Sequence, residues 1–237
     1  MYGVETRPPS HSKGRQLAQT GAEMMVNMVP VFGGTIAVAL TVALNHTLNK
    51  RREQWFTELA EAVDELQDRF VGFDPEALAD NETFVDAVVT ATRIVDRTSQ
   101  REKIEVLRNA VLNSALPTAP DSDIQQLYFT LIDGLTPTHM RMLTLLNNPP
   151  GWFDARPQLQ RPEFSMSSSR TALISAAMPE LGEKGPQMVE RFYAALTSGG
   201  LVNGALSGVM TAQGAWQPVT TDFATRFLAF VHDPRDN

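Results

Sequence analysis

From Thr35 to Phe70 the chain contains neither glycine nor proline, and its two halves have opposite chemistry. So long a stretch without a breaker predicts one long helix. Its first half belongs to a run, Met24 to Asn49, that carries no Asp, Glu, Lys or Arg, whereas the second half opens with Lys50, Arg51 and Arg52 and stays highly charged. A segment of this kind crosses a membrane, packs in a helical assembly, or fills a core. A spanning helix needs about 20 predominantly apolar residues. The run is long enough, but Asn27, Pro30, Asn45 and His46 dilute it, and its strong part shrinks to Val31–Leu44. Gly33, Gly34, Ala37, Ala39 and Ala43 make one half of it a seam of small residues suited to close helix contact. The reading adopted is therefore a contact helix, with Val31, Phe32, Gly33, Gly34, Ile36, Leu40 and Leu44 as its interaction residues. Membrane insertion of the same residues is the alternative. Under it the basic junction Lys50, Arg51 and Arg52 would be a cytoplasmic anchor. A peripheral interfacial helix is a third reading.

Composition narrows the class. The chain has 237 residues, 43% hydrophobic and 20% charged, which is the balance of a globular protein. The absence of cysteine removes disulfides and thiolate chemistry and is compatible with a reducing cytosol. A cytoplasmic location is expected, with association at the inner membrane under the insertion alternative. A net charge of -7 speaks against a general nucleic-acid binder. The acidity is concentrated between Lys50 and Leu116, and neither that region nor the C-terminal part carries a basic run. Residues 1–23 are polar and include Pro8-Pro9, the pattern of a flexible tail rather than of a secretory signal.

The helical rhythm continues past the junction. Trp55, Leu59, Ala62/Val63, Leu66 and Phe70 form one stripe, opposite Glu53, Glu58, Glu61, Asp64 and Asp68. Gly72 ends this helix, and Asp74-Pro75 starts another. Asn81 caps a helix with Phe84, Val88, Ala91/Thr92 and Val95 inward. The next helix turns Ile104, Leu107, Val111 and Ala115 inward, and another, capped by Asp121 or Ser122, turns in Ile124, Leu127/Tyr128, Leu131 and Leu135. Residues 50–135 thus read as an acidic bundle of four or five helices. Asn109 and Asn113 share a face, either as a solvated pair, the reading preferred, or as a buried polar pair across helices.

Residues 136–237 have a different order. Thr136 and Pro137 open a helix that stops at Pro149-Pro150, and an irregular Pro- and Ser-rich stretch follows to Ser168. Two helices, a short strand at Leu201-Val202, a Gly-rich hairpin, a second strand and a final helix capped by Thr220 or Thr221 complete the chain. That order is the one of a winged helix. The fold class expected is mainly α: an N-terminal apolar helix over 24–49, a central helical bundle, and a C-terminal winged-helix-like domain with a small β-hairpin.

The segments "NKRREQWFTELAEAVDELQDRF", "REKIEVLRNAVLNSAL" and "LIDGLTPTHMRMLTLL" resemble those of an uncharacterised family of bacterial helical proteins. The layout is also loosely similar to that of abortive-infection alpha-like proteins. The resemblance covers roughly Thr47 to Val231. It implies a bacterial source and an antiviral-defence context, and it brings no catalytic residue with it.

Other chemistries find little support. The would-be recognition helix, Gln187 to Ser198, has Glu190 and Arg191 as its only charges, and the wing from Asn203 to Gln213 has no Lys or Arg. A reader of base edges and phosphates supplies more donors than that. A DNA-binding regulator is therefore the third-ranked function. His11, His46, His139 and His232 are too scattered for a metal-ligand spacing, and no phosphate loop, dinucleotide fingerprint or nucleophile elbow is present. Ser165–Ser169 reads as a loop and helix cap. No cofactor and no catalytic or metal residue is assigned. The expected function is a non-catalytic interaction or regulatory protein that forms a homo-oligomer or docks a protein partner.

Overall fold

The computed structural model describes residues 34–70, 73–164, 168–208 and 210–236. The protein is mainly helical, with no strand or sheet among the described residues. By its internal contacts the chain divides into two units, Met1–Asn49 and Lys50–Asn237. Helix α1, Gly34–Arg69, carries residues of both, as the breaker-free stretch requires. The expected helix start at Met24 lies outside the described residues, as do the 1–23 tail and Val31, Phe32 and Gly33.

In the second unit the stripe on α1 is buried as its spacing demands. Trp55, Leu59, Ala62 and Leu66 are buried, while Glu53, Glu61, Asp64 and Asp68 are exposed. The indole N–H of Trp55 donates to Thr92 Oγ1 at 3.0 Å, so the aromatic is buried without stranding its donor. The segment after Asp74-Pro75 forms a 3-10 turn, Glu76–Asp80, rather than an α-helix.

Helices α2 (Glu82–Arg97), α3 (Arg101–Ser114) and α4 (Ser122–Gly134) follow. Asn81 accepts from Phe84 N and Asp121 from Ile124 N, both at 3.1 Å, which places the caps where the sequence puts them. On α4 the inward face is turned by about one residue from the expected one. Tyr128, Phe129 and Ile132 are buried, Gln125 joins them, and Leu127 is 52% exposed. The Gln125 Nε2 donates to the loop carbonyl of Pro120 at 2.8 Å, while its Oε1 is buried without a partner among the described residues.

Helices α5 (Pro137–Asn147), α6 (Pro149–Asp154), α7 (Arg170–Ala177), α8 (Pro179–Gly182), α9 (Pro186–Ser198), α10 (Ala212–Ala215) and α11 (Asp222–Val231) complete the second unit. Helix α5 stops before Pro149 and Pro150, as their pairing suggests, but the stretch that follows is not irregular from its start. The two prolines occupy the first turn of α6, where a missing N–H costs nothing, and Asn148 Oδ1 caps that turn by accepting from Gly151 N at 3.1 Å. Helix α9 ends in a left-handed residue, Gly200 at φ 69°, with Leu201 N donating to Leu196 O at 2.9 Å.

The expected strands shrink to one isolated antiparallel bridge, Val202 with Thr220, and a second bridge that the sequence did not suggest joins Ser168 to Met210. Asn203 N donates to Val219 O and Thr221 N to Leu201 O, but Val219 N turns instead to Leu146 O on α5. The backbone donor that would lengthen the ladder is spent on a helix end.

One hydrophobic cluster runs from Trp55 to Val231. Tyr128 on α4 lies 5.4 Å from Phe223, 5.4 Å from Phe227 and 5.1 Å from Phe230 on α11. The last helix is thus seated in the bundle by aromatic contact. Beyond it, Arg235 pairs with both Asp233 and Glu65, tying the final turn to α1. The guanidinium holds the Asp233 carboxyl down at about 2. The stabilisation from that pair is therefore complete above the ordinary carboxylate range and is lost only as pH falls toward 2.

His139 sits in the first turn of α5 as part of a reciprocal cap. Thr136 N donates to His139 Nδ1 at 3.1 Å, and the ring lies 4.5 Å from that of Phe192. Accepting at Nδ1 requires the neutral ring. Burial, aided by the nearby Lys103 charge, holds its pKa below the ordinary value. The folded state therefore binds this proton less readily than the unfolded chain does. The stability from this cap is present above about pH 6.5 and is lost as pH falls below it. Thermal melts should show Tm falling across that window, and His139→Gln, which keeps an acceptor at that position of the cap, should flatten the decline. A decline of equal size in the variant would exclude His139 as its source.

Candidate functional site

Two features stand out, one in each unit. The first is the uncharged half of α1. Of the interaction residues read from the sequence, Gly34 and Ile36 lie in the helix, and Leu40 and Leu44 are 58% and 53% exposed. Val42, which points to another side of the helix, is 62% exposed. Ala43 and Asn45 are exposed too, and Thr47 turns its hydroxyl back to Ala43 O at 2.9 Å. The apolar surface thus wraps the helix instead of forming a stripe that the fold covers. Covering what is exposed of each large side chain would return about 1 kcal/mol or more.

Two cations of the basic junction make contacts within the second unit. Arg51 Nη1 donates to Asp96 O at 3.1 Å, and Arg52 Nε donates to the Asp96 carboxylate at 2.8 Å. Both cations sit at the C-terminal end of α2, where they meet unpaired carbonyls and the negative end of the helix dipole. Lys50 is exposed.

The second feature is a groove of about 580 Å³ bounded by α3, α5, α6 and α11. Its walls are mostly apolar, with Val106, Leu135, Met140, Trp152 and Leu228 among them. Asn109 Nδ2 donates to Val231 O at 3.2 Å, which leaves its Oδ1 buried without a partner. Asn113 Nδ2 is within 2.8 Å of both Phe230 O and His232 O. The two asparagines therefore cap the end of α11 from α3, so the pair is half-buried and spans two helices. Their four-residue spacing was visible in the sequence, but the carbonyls they meet lie more than a hundred residues away.

At the far wall the Arg156 guanidinium stacks 3.5 Å over the Trp152 ring, and its Nη1 donates to Trp152 O at 3.3 Å. Trp152 is 6% exposed, and its Nε1 has no acceptor among the described residues. Lys103, also on the groove, donates to Asp133 O at 2.7 Å, and burial lowers its pKa. Nothing in the sequence links Trp152 and Arg156 to α3 or α11, so this site was missed.

No group of three His, Asp or Glu among the described residues is arranged to hold a metal ion. No described helix is long and apolar enough to cross a membrane. Comparison with protein-family models, with curated proteins and with solved structures finds no match.

Proposed function

We propose that the protein is a non-catalytic interaction protein that assembles with copies of itself through the uncharged half of α1. The observation that carries this reading is the exposure of Leu40, Val42 and Leu44 within five residues of a helix that bears no charge before Lys50. Apolar side chains exposed on several sides of one helix are a contact surface awaiting a cover. A second copy supplies an identical helix, and the small residues Ala37, Ala39 and Ala43 let two such helices approach closely. The test is the mass of the full chain in solution by light scattering. An oligomer that dissociates on Val42→Asp supports the reading, and a wild-type monomer at tens of micromolar refutes it.

The resemblance of the central segments adds a bacterial defence setting to this proposal, and the absence of cysteine supports a cytoplasmic location. The membrane alternative uses the same exposed residues: the helix would insert on activation and damage or signal at the inner membrane. Alkaline carbonate extraction separates the two, because only an inserted chain stays with the bilayer.

A winged-helix-like arrangement of residues 136–237 belongs to the same proposal. The order α5, α7, α9, followed by the Val202–Thr220 bridge and α11, supports it. In this reading α9 serves as a protein-contact or structural helix, because Glu190 and Arg191 are its only charges and they oppose each other. A DNA-binding regulator would show salt-dependent retention of duplex DNA, which is not expected here.

A further inference from the structure

We propose that the groove between α3, α5, α6 and α11 is a binding site for a small amphiphile, with an apolar tail and a carboxylate head held by Arg156 and Trp152. This goes beyond assembly through α1 and uses only residues of the second unit. Volume comes first. About 580 Å³ falls in the range of about 300–1,000 Å³ typical of small-molecule sites. The wall chemistry then selects the body of the ligand. Val106, Leu135, Met140 and Leu228 offer it no charge, so a saturated chain or an apolar ring is favoured.

The head group follows from two donors four residues apart, a guanidinium bonded only to a backbone carbonyl and an indole N–H with no acceptor. Arg156 lies within salt-bridge reach of no carboxylate among the described residues, and its guanidinium is stacked on Trp152 instead. Stacking fixes the plane of the fork and leaves N–H groups to point outward. The Trp152 indole N–H is a second donor, buried and without an acceptor, on the residue beneath. An indole N–H can only donate, so its missing partner is an oxygen with a lone pair. A guanidinium fork beside an indole N–H calls for an oxyanion, and a carboxylate matches the fork in two places. The other arginine on the groove, Arg141, is already engaged by Glu180 at 3.2 Å, which leaves Arg156 to fix the orientation. Lys103, with a backbone carbonyl as its partner, also lines the groove, together with Glu102 and Glu105.

The test titrates the full chain with decanoate, decanol and decyltrimethylammonium, each below its aggregation concentration, by calorimetry. Decanoate is expected to saturate at one molecule per chain, about tenfold or more tighter than either of the others. Arg156→Gln is expected to remove that preference while leaving decanol binding as it was. Ala229→Trp, at an exposed position on the groove, is expected to abolish binding of both by filling the space. Should that variant fold poorly, Arg156→Gln decides alone. The proposal is overturned if decanoate does not saturate, if decanol binds equally well, or if Arg156→Gln leaves the preference intact. Binding to vesicles of anionic phospholipid without binding to monomeric decanoate also overturns it, and assigns the surface to a membrane.

Discussion

Replacing Leu40 or Leu44 with Asp is expected to reduce the assembled protein to a smaller species. Both side chains are more than half exposed on one face of α1. In a helix-to-helix contact they become buried, and an aspartate there would be desolvated without a partner. Leaving one charge unpaired in such a contact costs about 3–5 kcal/mol, or a factor of at least about 100 in association. Because both positions lie before Lys50, the melting of the second unit should stay within about 1–2 °C of wild type, which separates lost assembly from lost folding. Glu61→Ala is the matching control, since Glu61 is exposed and meets no partner across helices. If Leu40→Asp and Leu44→Asp leave the mass unchanged, the assembly surface is not this face of α1. If wild type resists carbonate extraction and the variants do not, the membrane alternative takes its place.

The second large effect is on stability. Leu66 is fully buried on α1, and Phe227 is fully buried on α11 beneath Tyr128. Leu66→Ala should cost about 2–5 kcal/mol and Phe227→Ala about 3–5 kcal/mol, because each leaves a cavity in a core that relaxes only in part. In a unit of this size each kcal/mol lowers Tm by about 2–4 °C. Leu59→Ala should behave like Leu66→Ala, while Glu58→Ala and Glu61→Ala should stay within about 0.5 kcal/mol. Glu58 accepts only from the exposed Gln54 amide one turn earlier, so its removal strands no buried donor. The two truncations should also couple little, since they sit on different helices and share no partner named above. A Phe227→Ala variant that melts like wild type would mean that α11 is not seated in the bundle through its aromatic face.

Much of this architecture was legible in the sequence because the signals are local. A breaker-free stretch makes a helix, Asn81, Asp121 and Thr221 cap where a side-chain oxygen can reach a backbone N–H three residues on, and the Trp55–Leu66 stripe follows from 3.6 residues per turn. The apolar character of 24–49 and the charged start at Lys50 are equally plain in the order of residues.

Other features depend on what arrives from elsewhere in the chain. Periodicity fixes a helix face only to within a residue or so, and the helices packed on α4, with Phe230 of α11 against Phe129, decided that Phe129 would be buried and Leu127 exposed. The sequence shows Arg51 and Arg52 as a basic cluster but not their partners, the carbonyl and carboxylate of Asp96, which α2 brings to them. The expected hairpin contracted to a single bridge, Val202 with Thr220, as a carbonyl of α5 captured the Val219 donor. The groove is the extreme case. Its lining comes from residues 102–156 and 225–232, and no spacing rule relates them. Local patterns determine which elements form, since they act through a few bonds. Only tertiary packing determines which elements share a wall, and therefore where a ligand or a second copy could be held.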